Sequence, residues 1–394
     1  MATNTETDGD TDDGVDTDAG TDGSDTASFD ATADLLADRH EVVRSRLADS
    51  DEPAIGYLYD YVPPEIIEAA GCQPVRVAPY ESAVELREAD SHLQTSFTCG
   101  FVNATFEELL RGWYDYLDGL VTGHVCTPLQ RMHEQVTHLD LLEFTHYLKA
   151  PTKLESDAAR EFYASELERT ATALAEYAGT SVDPAAVERS IDDADGVRWR
   201  LAELFAHRTH EPPTLSGTEA LRIAFATQLF PTADARTYLD DQLARVAERD
   251  PIEGQRTFVT GCSTYNTAFV ELIESEGGVV VADDAIESGR LLSQPTTTAD
   301  DPYERLADAY LGKPAGSYKT DFDSRLAYIE EQLDRHDIEK VVMLTPKFCD
   351  PYMLRTSAIR DRVEATGRDC LELTYEHSIV DEGQLRLRVQ SFFE

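Results

Sequence analysis

Short apolar segments alternate with helical segments near both ends of the chain, and this alternation constrains the fold most. Residues 53–59 and 74–77 have the apolar character of strands, and a helix between them is predicted to begin at Pro64 and to end before Gly71. The same order recurs later, with strands predicted at 256–260, 279–282, 341–344 and 370–374. Strands that alternate with helices form parallel sheets whose two faces are covered. The pattern therefore predicts an α/β protein.

The middle third of the chain has a different pattern. Residues 156–177, 183–208 and 217–229 have helical periodicity and are rich in Ala, Glu and Arg. A chain of 394 residues is too long for one core, so two domains of ordinary size are expected. We predict two flavodoxin-like, doubly wound parallel-sheet domains with an inserted helical segment. The predicted divisions are a disordered acidic tail (1–28), a first α/β domain (29–150), the helical segment (151–250) and a second α/β domain (251–394).

Single elements are predicted from the same periodicity. A strand is predicted at 119–123. Helices are predicted at 31–47, 104–115, 129–135, 267–276, 322–335, 352–365 and 385–393. A further strand-like run is predicted to open with 138–144 and to end near Pro151.

The chain is strongly acidic, with 76 Asp and Glu against 34 Lys and Arg and a formal net charge of −42. A nucleic-acid-binding protein shows a basic stripe or patch, and the sequence shows none, so no nucleic-acid partner is expected. Dense carboxylates keep a surface hydrated, and salt screens their mutual repulsion. The composition therefore indicates a halophilic protein and gives no information about the reaction.

The sequence shows no membrane or targeting segment. No apolar run approaches the roughly 18 residues of a transmembrane helix. The N-terminus is acidic and lacks the basic and apolar regions of a secretory signal. We therefore expect a cytoplasmic protein with no membrane partner.

Three of the six cysteines are predicted at the same edge of the two sheets. Cys126 and Cys349 each follow a predicted strand, and Cys99 precedes a predicted helix. Because ligands bind at the carboxyl edge of open α/β sheets, we predict that these thiols meet in one crevice and hold an iron–sulfur cluster. Their spacing matches no zinc-ribbon or ferredoxin pattern. The alternative is three buried small hydrophobic residues, as free cysteines often are.

The same edge contains weaker candidates. Cys262 also follows a predicted strand; an ordinary buried role is favoured, and the alternatives are a further ligand or a residue behind the ligands. Cys72 and Cys370 open strands at the opposite edge and are predicted to be core residues. Other candidates are His124, Asp350, the turn at 261–263 and the group Tyr59, Tyr61 and Glu65. An ordinary role is the alternative for each, and for His124 a surface-loop role is favoured.

Five blocks of sequence, in order along the chain, carry a family resemblance. They are 56–71, which ends in YVPPEIIEAAG; TCGF at 98–101; 118–126, which begins DGLV; 260–261 with IESEGGVVVADD at 273–284; and FCD at 348–350 with GQLRLRVQSFFE at 383–394. On these blocks the chain resembles the 2-hydroxyacyl-CoA dehydratase family, which also contains benzoyl-CoA reductase subunits. The blocks together span residues 56–394.

The resemblance implies a cofactor, partners and a reaction. It implies one [4Fe–4S] cluster held by three cysteines, here Cys99, Cys126 and Cys349. It implies a paralogous second subunit with its own cluster, giving a heterodimer, and a separate ATP-dependent activator protein that delivers a low-potential electron. The implied reaction removes water from a 2-hydroxyacyl-CoA substrate through a ketyl radical after this one-electron activation.

Other functions stay open at this level. The chain could be a subunit of a benzoyl-CoA-type aromatic reductase, a partner whose cluster only relays electrons or is structural, or a binding protein that has lost its cluster. The sequence identifies neither a catalytic acid or base nor the acyl group.

Overall fold

Two parallel β-sheets organise the molecule. The computed structural model describes residues 27–80, 84–262, 265–293, 297–376 and 382–394. The first sheet has the order β2-β1-β3-β4 and consists of β1 (Ala54–Leu58), β2 (Gln73–Arg76), β3 (Gly119–Gly123) and β4 (Phe144–Leu148). The second has the order β6-β5-β7-β8 and consists of β5 (Gln255–Gly261), β6 (Gly278–Asp283), β7 (Lys340–Pro346) and β8 (Asp369–Tyr375). The predicted α/β fold class is confirmed.

Helices surround both sheets. In the first part of the chain they are α1 (Ala27–Ala37), α2 (Arg39–Leu47), α3 (Pro64–Ala69), α4 (Gly100–Leu110), α5 (Thr127–His138), α6 (Asp157–Ala178), α7 (Pro184–Thr209), α8 (Gly217–Thr227) and α9 (Thr232–Val246). In the second they are α10 (Ala268–Ser275), α11 (Gly289–Leu292), α12 (Pro302–Leu311), α13 (Asp323–Arg335), α14 (Asp350–Met353), α15 (Thr356–Ala365) and α16 (Glu382–Phe393). Within the described residues, none of these helices combines the length and apolar character needed to cross a membrane.

The central strands are buried along their length. Every residue of β3 is buried, as is every residue of β7 after Lys340. Continuous burial is expected of parallel strands that are covered on both faces. Gly119 allows β3 to approach its neighbours closely, because a Cβ at this position would lie 2.8 Å from the Cβ of Phe144 and 2.9 Å from Cδ1 of Ile55.

Some predicted boundaries are wrong. The helix predicted at 31–47 is two helices, α1 and α2, separated at Asp38. The strand-like run predicted from His138 begins too early, because His138 ends α5 and Asp140 has a left-handed backbone with φ of 48°. The helix predicted at 104–115 is α4, which lies at Gly100–Leu110, and the helix predicted at 352–365 is divided into α14 and α15.

The helices α9, α11 and α12 are absent from the sequence-based prediction. For α12 a signal exists, since Asp301 precedes Pro302 and its side chain accepts hydrogen bonds from the amides of Tyr303 and Glu304. Of the predicted acidic tail, residues 1–26 lie outside the described residues, and α1 begins at Ala27.

A single hydrophobic cluster joins the two sheets. It contains Leu58 and Leu120 of the first sheet and Phe258 and Val342 of the second. Another cluster covers a face of the first sheet with side chains of α6 and of α12, including Tyr310. The carboxyl ends of β1 and β5 therefore lie near each other at the interface of the two sheets.

Buried polar contacts reinforce this interface. Asp60, just after β1, forms an ion pair with Arg290 of α11, and both side chains are almost fully buried. Arg290 Nε also donates to the carbonyl of Pro314 at 3.1 Å. Glu65 is buried too and accepts from Arg198 at 2.7 Å and from the Tyr310 hydroxyl at 2.9 Å. Glu65 is thus an internal anchor between α3, α7 and α12.

Substituting Arg290→Met should destabilise the protein by about 3–5 kcal/mol, because Asp60 would remain as a buried, unpaired carboxylate. Adding Asp60→Asn should recover much of that loss. Urea unfolding followed by circular dichroism measures both changes. As a control, Arg131→Met removes the exposed Arg131–Glu134 pair and should change stability by no more than about 0.5 kcal/mol. Equal losses in the single and double variants would contradict the assigned ion pair.

Candidate cysteine-lined site

Four cysteines line one cavity at the interface of the two sheets. They are Cys99, Cys126, Cys262 and Cys349, and all are free thiols. The sulfur atoms of Cys262 and Cys349 lie 3.8 Å apart. The structure therefore brings the three predicted ligand cysteines to a common crevice and adds Cys262, which the sequence offered only as a weaker candidate.

Local structure places each thiol at this crevice. Cys99 directly precedes α4, Cys126 directly precedes α5 and Cys262 directly follows β5. Cys349 lies between β7 and α14, after Phe348, whose φ of 63° is left-handed. A strained non-glycine backbone persists where the surroundings determine it and is frequent at functional sites. The carboxyl edge of the sheets is thus the edge at which the thiols collect.

Aromatic side chains form much of the cavity wall. Tyr59, Phe101, Tyr265, Tyr318 and Tyr375 all contribute. The rings of Tyr59 and Phe101 meet edge to face with centroids 5.5 Å apart, as do those of Phe101 and Tyr265. Such a wall excludes water and lowers the local dielectric constant, which strengthens electrostatic interactions inside the cavity.

Tyr59 connects the first sheet to the thiols of the second. Its hydroxyl lies 2.9 Å from the sulfur of Cys262. Its backbone has a left-handed φ of 71°, and its carbonyl accepts a hydrogen bond from Arg76 Nη1 at 2.6 Å. By contrast, Tyr61 does not line the cavity, and its ring lies under the ammonium of Lys319 at 4.4 Å. Of the two tyrosines proposed from sequence, only Tyr59 lines the thiol cavity.

The four thiols hold their protons with unequal strength. Hydrogen bonding to Cys349 lowers the pKa of Cys99 despite burial. Contact with Cys349 likewise lowers the pKa of Cys262, assisted by the Tyr59 hydroxyl. The same hydrogen bonds to Cys262 and Cys99 raise the pKa of Cys349, and burial raises the pKa of Cys126. Negative charge is therefore most favourable at Cys99 and Cys262.

The donor set has the chemistry of iron–sulfur ligands, because thiols are the side chains that hold such clusters. Among the described residues, no group of three or more His, Cys, Asp or Glu side chains is arranged to hold a metal ion. Each iron of a cubane cluster takes one thiolate from the protein or another ligand. Soft thiols around a mainly apolar cavity match that requirement.

The remaining candidates have other contacts. The ring of His124 hydrogen-bonds to the Tyr147 hydroxyl at 3.0 Å. The amide of Gly261 donates to Asp284 at 3.1 Å, which leaves it unavailable to a phosphate, and Ser263 lies outside the described residues. Cys72 is buried in the core of the first sheet, and Cys370 is half-buried on β8. Asp350 is exposed at the start of α14.

Tyr59 also lines a second cavity, which sequence reasoning missed. This cavity includes Tyr57, Arg76, Phe230 and Lys313. The Lys313 ammonium lies 3.9 Å from the centre of the Tyr310 ring, and burial lowers the Lys313 pKa to about 8. Apolar walls with buried cations suit a small molecule that has both an apolar and an anionic part. Lys313 follows α12 in a loop that has no recognisable motif, so no sequence signal identified it.

Comparison with known proteins gives a consistent result. The family pattern of the 2-hydroxyglutaryl-CoA dehydratase D-component matches residues 60–394. A benzoyl-CoA reductase subunit of Thauera aromatica is 25% identical over 80% of this chain and 83% of that protein. The (R)-phenyllactyl-CoA dehydratase beta subunit of Clostridium sporogenes is 22% identical over 93% of this chain and 98% of that protein. The beta subunit of (R)-2-hydroxyglutaryl-CoA dehydratase from Acidaminococcus fermentans is 22% identical over 86% of this chain and 92% of that protein. These matches confirm the family resemblance found in the five sequence blocks.

Substituting Tyr59→Ala should cost about 3–5 kcal/mol of stability, because it removes a buried ring from the wall of both cavities. Tyr59→Phe is the matched control, since it keeps the ring and removes only the hydroxyl, and it should cost about 1 kcal/mol. Urea unfolding of both variants measures the difference. If Tyr59→Phe lost as much stability as Tyr59→Ala, ring packing would not be the main structural contribution of Tyr59.

Proposed function

The chain belongs to the family of the 2-hydroxyglutaryl-CoA dehydratase D-component, and we propose that it is the iron–sulfur subunit of a 2-hydroxyacyl-CoA dehydratase. The assembled enzyme would eliminate water from a 2-hydroxyacyl-CoA thioester after one-electron activation. The observation that supports this most strongly is the cavity in which the three predicted ligand cysteines lie together.

Cys99, Cys126 and Cys349 would hold a [4Fe–4S] cluster. When bound, such a cluster supplies one-electron transfer and, where an iron keeps an open position, a Lewis acid for an oxygen atom. The chain's own residues provide the environment. The aromatic wall excludes water from the cavity, and the Tyr59 hydroxyl places a hydrogen-bond partner against the Cys262 sulfur. Burial, charge and hydrogen bonds to sulfur are the means by which a protein sets a cluster's reduction potential.

We propose a paralogous second subunit as the partner of this chain. The three relatives compared above are each named as one subunit of an enzyme, and two of them as beta subunits. The surface beside the thiols supports such a partner, because Phe97, Phe348 and Leu354 are 74%, 40% and 79% exposed and line a groove that also includes Cys126. Exposed apolar groups concentrated in one place are typical of an interaction site. A separate ATP-dependent activator would supply the electron to this assembly.

A second candidate function is a subunit of a benzoyl-CoA-type aromatic reductase. The similarity to the benzoyl-CoA reductase subunit of Thauera aromatica favours it specifically. The two functions are separated by assaying the assembled complex, with its activator, for loss of water from 2-hydroxyacyl-CoA thioesters and for reduction of benzoyl-CoA. Turnover of only the aromatic thioester would replace the dehydratase proposal.

Anaerobically purified protein should contain about four irons and a matching amount of acid-labile sulfide per chain. Cys349→Ala should lose most of this iron, because it removes a ligand from the cavity. Its circular dichroism spectrum should match that of the wild type, since both sheets should still form. Cys370→Ala is the matched control, since Cys370 is half-buried on β8 and does not line the cavity. Full iron content in the Cys349 variant would overturn the ligand assignment.

We also propose that the acidic composition is an adaptation to high salt. Raising KCl from about 0.1 M to about 2 M should raise the melting temperature, because the ions screen repulsion among the excess carboxylates behind the net charge of −42. Differential scanning calorimetry at constant pH measures this. A melting temperature that stays constant or falls with KCl would contradict the proposal.

A further inference from the structure

Cys262 has the surroundings of a ligand thiol and not those of a core cysteine. It lines the same cavity as Cys99, Cys126 and Cys349. Its sulfur lies 3.8 Å from the sulfur of Cys349 and 2.9 Å from the hydroxyl of Tyr59. Cys72, by comparison, is buried in the hydrophobic cluster of the first sheet. The sulfur of Cys262 therefore faces polar and sulfur atoms within the predicted cluster site.

A buried hydrogen-bond network fixes the backbone that presents Cys262. The preceding residue, Gly261, donates its amide to Asp284 at 3.1 Å. Asp284 is held by Arg325 Nε at 2.8 Å and by the Thr260 hydroxyl at 2.9 Å. Arg325 and Asp284 are both fully buried. Ligand residues that are supported in this way keep their geometry when a cofactor binds.

The network also places the guanidinium of Arg325, paired with the carboxylate of Asp284, beside the site. Arg325 donates to the carbonyl of Gly261 and so lies next to Cys262 in the structure. On the opposite side, Arg76 binds the carbonyl of Tyr59 and holds that residue in its left-handed conformation. The first sheet thus directs a hydroxyl at the sulfur of Cys262, while the second sheet fixes the backbone next to it.

We propose that Cys262 is a fourth thiolate ligand of the cluster held by Cys99, Cys126 and Cys349. The inference rests on the proposed function, because it presupposes that cluster. Four cysteines satisfy the four irons of a [4Fe–4S] cluster. On ligation the S–H bond of Cys262 is replaced by an S–Fe bond, its proton passes to solvent and any non-protein ligand on that iron leaves. No electron is transferred in this step.

Ligation of the fourth iron by Cys262 would restrict the chemistry available to the cluster. A cluster with four protein ligands can accept and pass on an electron, but it offers no open iron to a carbonyl or hydroxyl oxygen of a substrate. The proposed ligation therefore assigns the cluster of this subunit to electron transfer and not to direct binding of the thioester.

The test uses controlled oxidation of the anaerobically purified, iron-loaded protein. An iron without a protein ligand is readily lost when a [4Fe–4S] cluster is oxidised, which leaves a [3Fe–4S] form with a characteristic EPR signal. The wild-type protein, Cys262→Ala and the control Cys370→Ala are each treated with one equivalent of ferricyanide per cluster. Iron content and EPR spectra are recorded before and after treatment.

The wild-type and Cys370→Ala proteins should keep about four irons per chain and show no [3Fe–4S] signal. Cys262→Ala should begin with a similar iron content, lose about one iron per cluster and gain the signal. A wild-type protein that yields the [3Fe–4S] form as readily as Cys262→Ala would overturn the fourth ligand and leave the proposed function intact. Wild-type protein that stays free of iron after reconstitution would overturn both.

A second variant covers the case in which Cys262→Ala does not fold. Tyr59→Phe removes the hydroxyl beside Cys262 and keeps the ring. Hydrogen bonds to a ligand sulfur stabilise the reduced, more negative cluster, so the midpoint potential of the variant should shift to a lower value than that of the wild type. A sulfur outside the cluster's ligand set would leave the potential unchanged, and that result would contradict ligation by Cys262.

Discussion

The buried ion pair between Asp60 and Arg290 connects the two sheets at the point on which the candidate site depends. Asp60 follows β1, and Arg290 belongs to α11, which follows β6. Burying two charges is costly unless each is paired and hydrogen-bonded. The Asp60 carboxylate and the Arg290 guanidinium are therefore paired only when the two sheets pack so that these side chains are in contact. That placement also sets Tyr59, the residue next to Asp60, against the thiol of Cys262.

The candidate site combines apolar walls with a small number of fixed polar groups. The aromatic rings exclude water, and the polar groups near the sulfurs are themselves anchored by buried partners, Arg76 for Tyr59 and Arg325 with Asp284 for Gly261. Preorganisation of this kind is what allows a protein to hold a cofactor and to set its electronic properties. Residues that do not themselves line the cavity thus fix the backbone that presents the thiols.

The sequence predicted helices and strands well where the signal comes from residues that are close together in the chain. Ser156 and Asp183 are the first residues of the helices predicted at 156–177 and 183–208, and they cap α6 and α7, because their side chains accept hydrogen bonds from the amides three residues later. The start of β4 was predicted too early, because apolar residues after His138 resemble a strand although the chain first turns through Asp140. The helix α12 was missed despite its Asp-Pro start, and it contributes Tyr310, the partner of Glu65. Periodicity alone does not distinguish between such cases, because tertiary packing decides them.

The sequence by itself determined the α/β class, the edge at which Cys99, Cys126 and Cys349 collect and the family, because strand and helix periodicity and short motifs are properties of neighbouring residues. Only the tertiary structure placed Cys262 beside Cys349 and Tyr59, buried Glu65 between three helices and paired Asp60 with Arg290. Those contacts join residues far apart in the chain. Their distances depend on how the two sheets pack against each other, and local patterns along the sequence do not encode that packing directly.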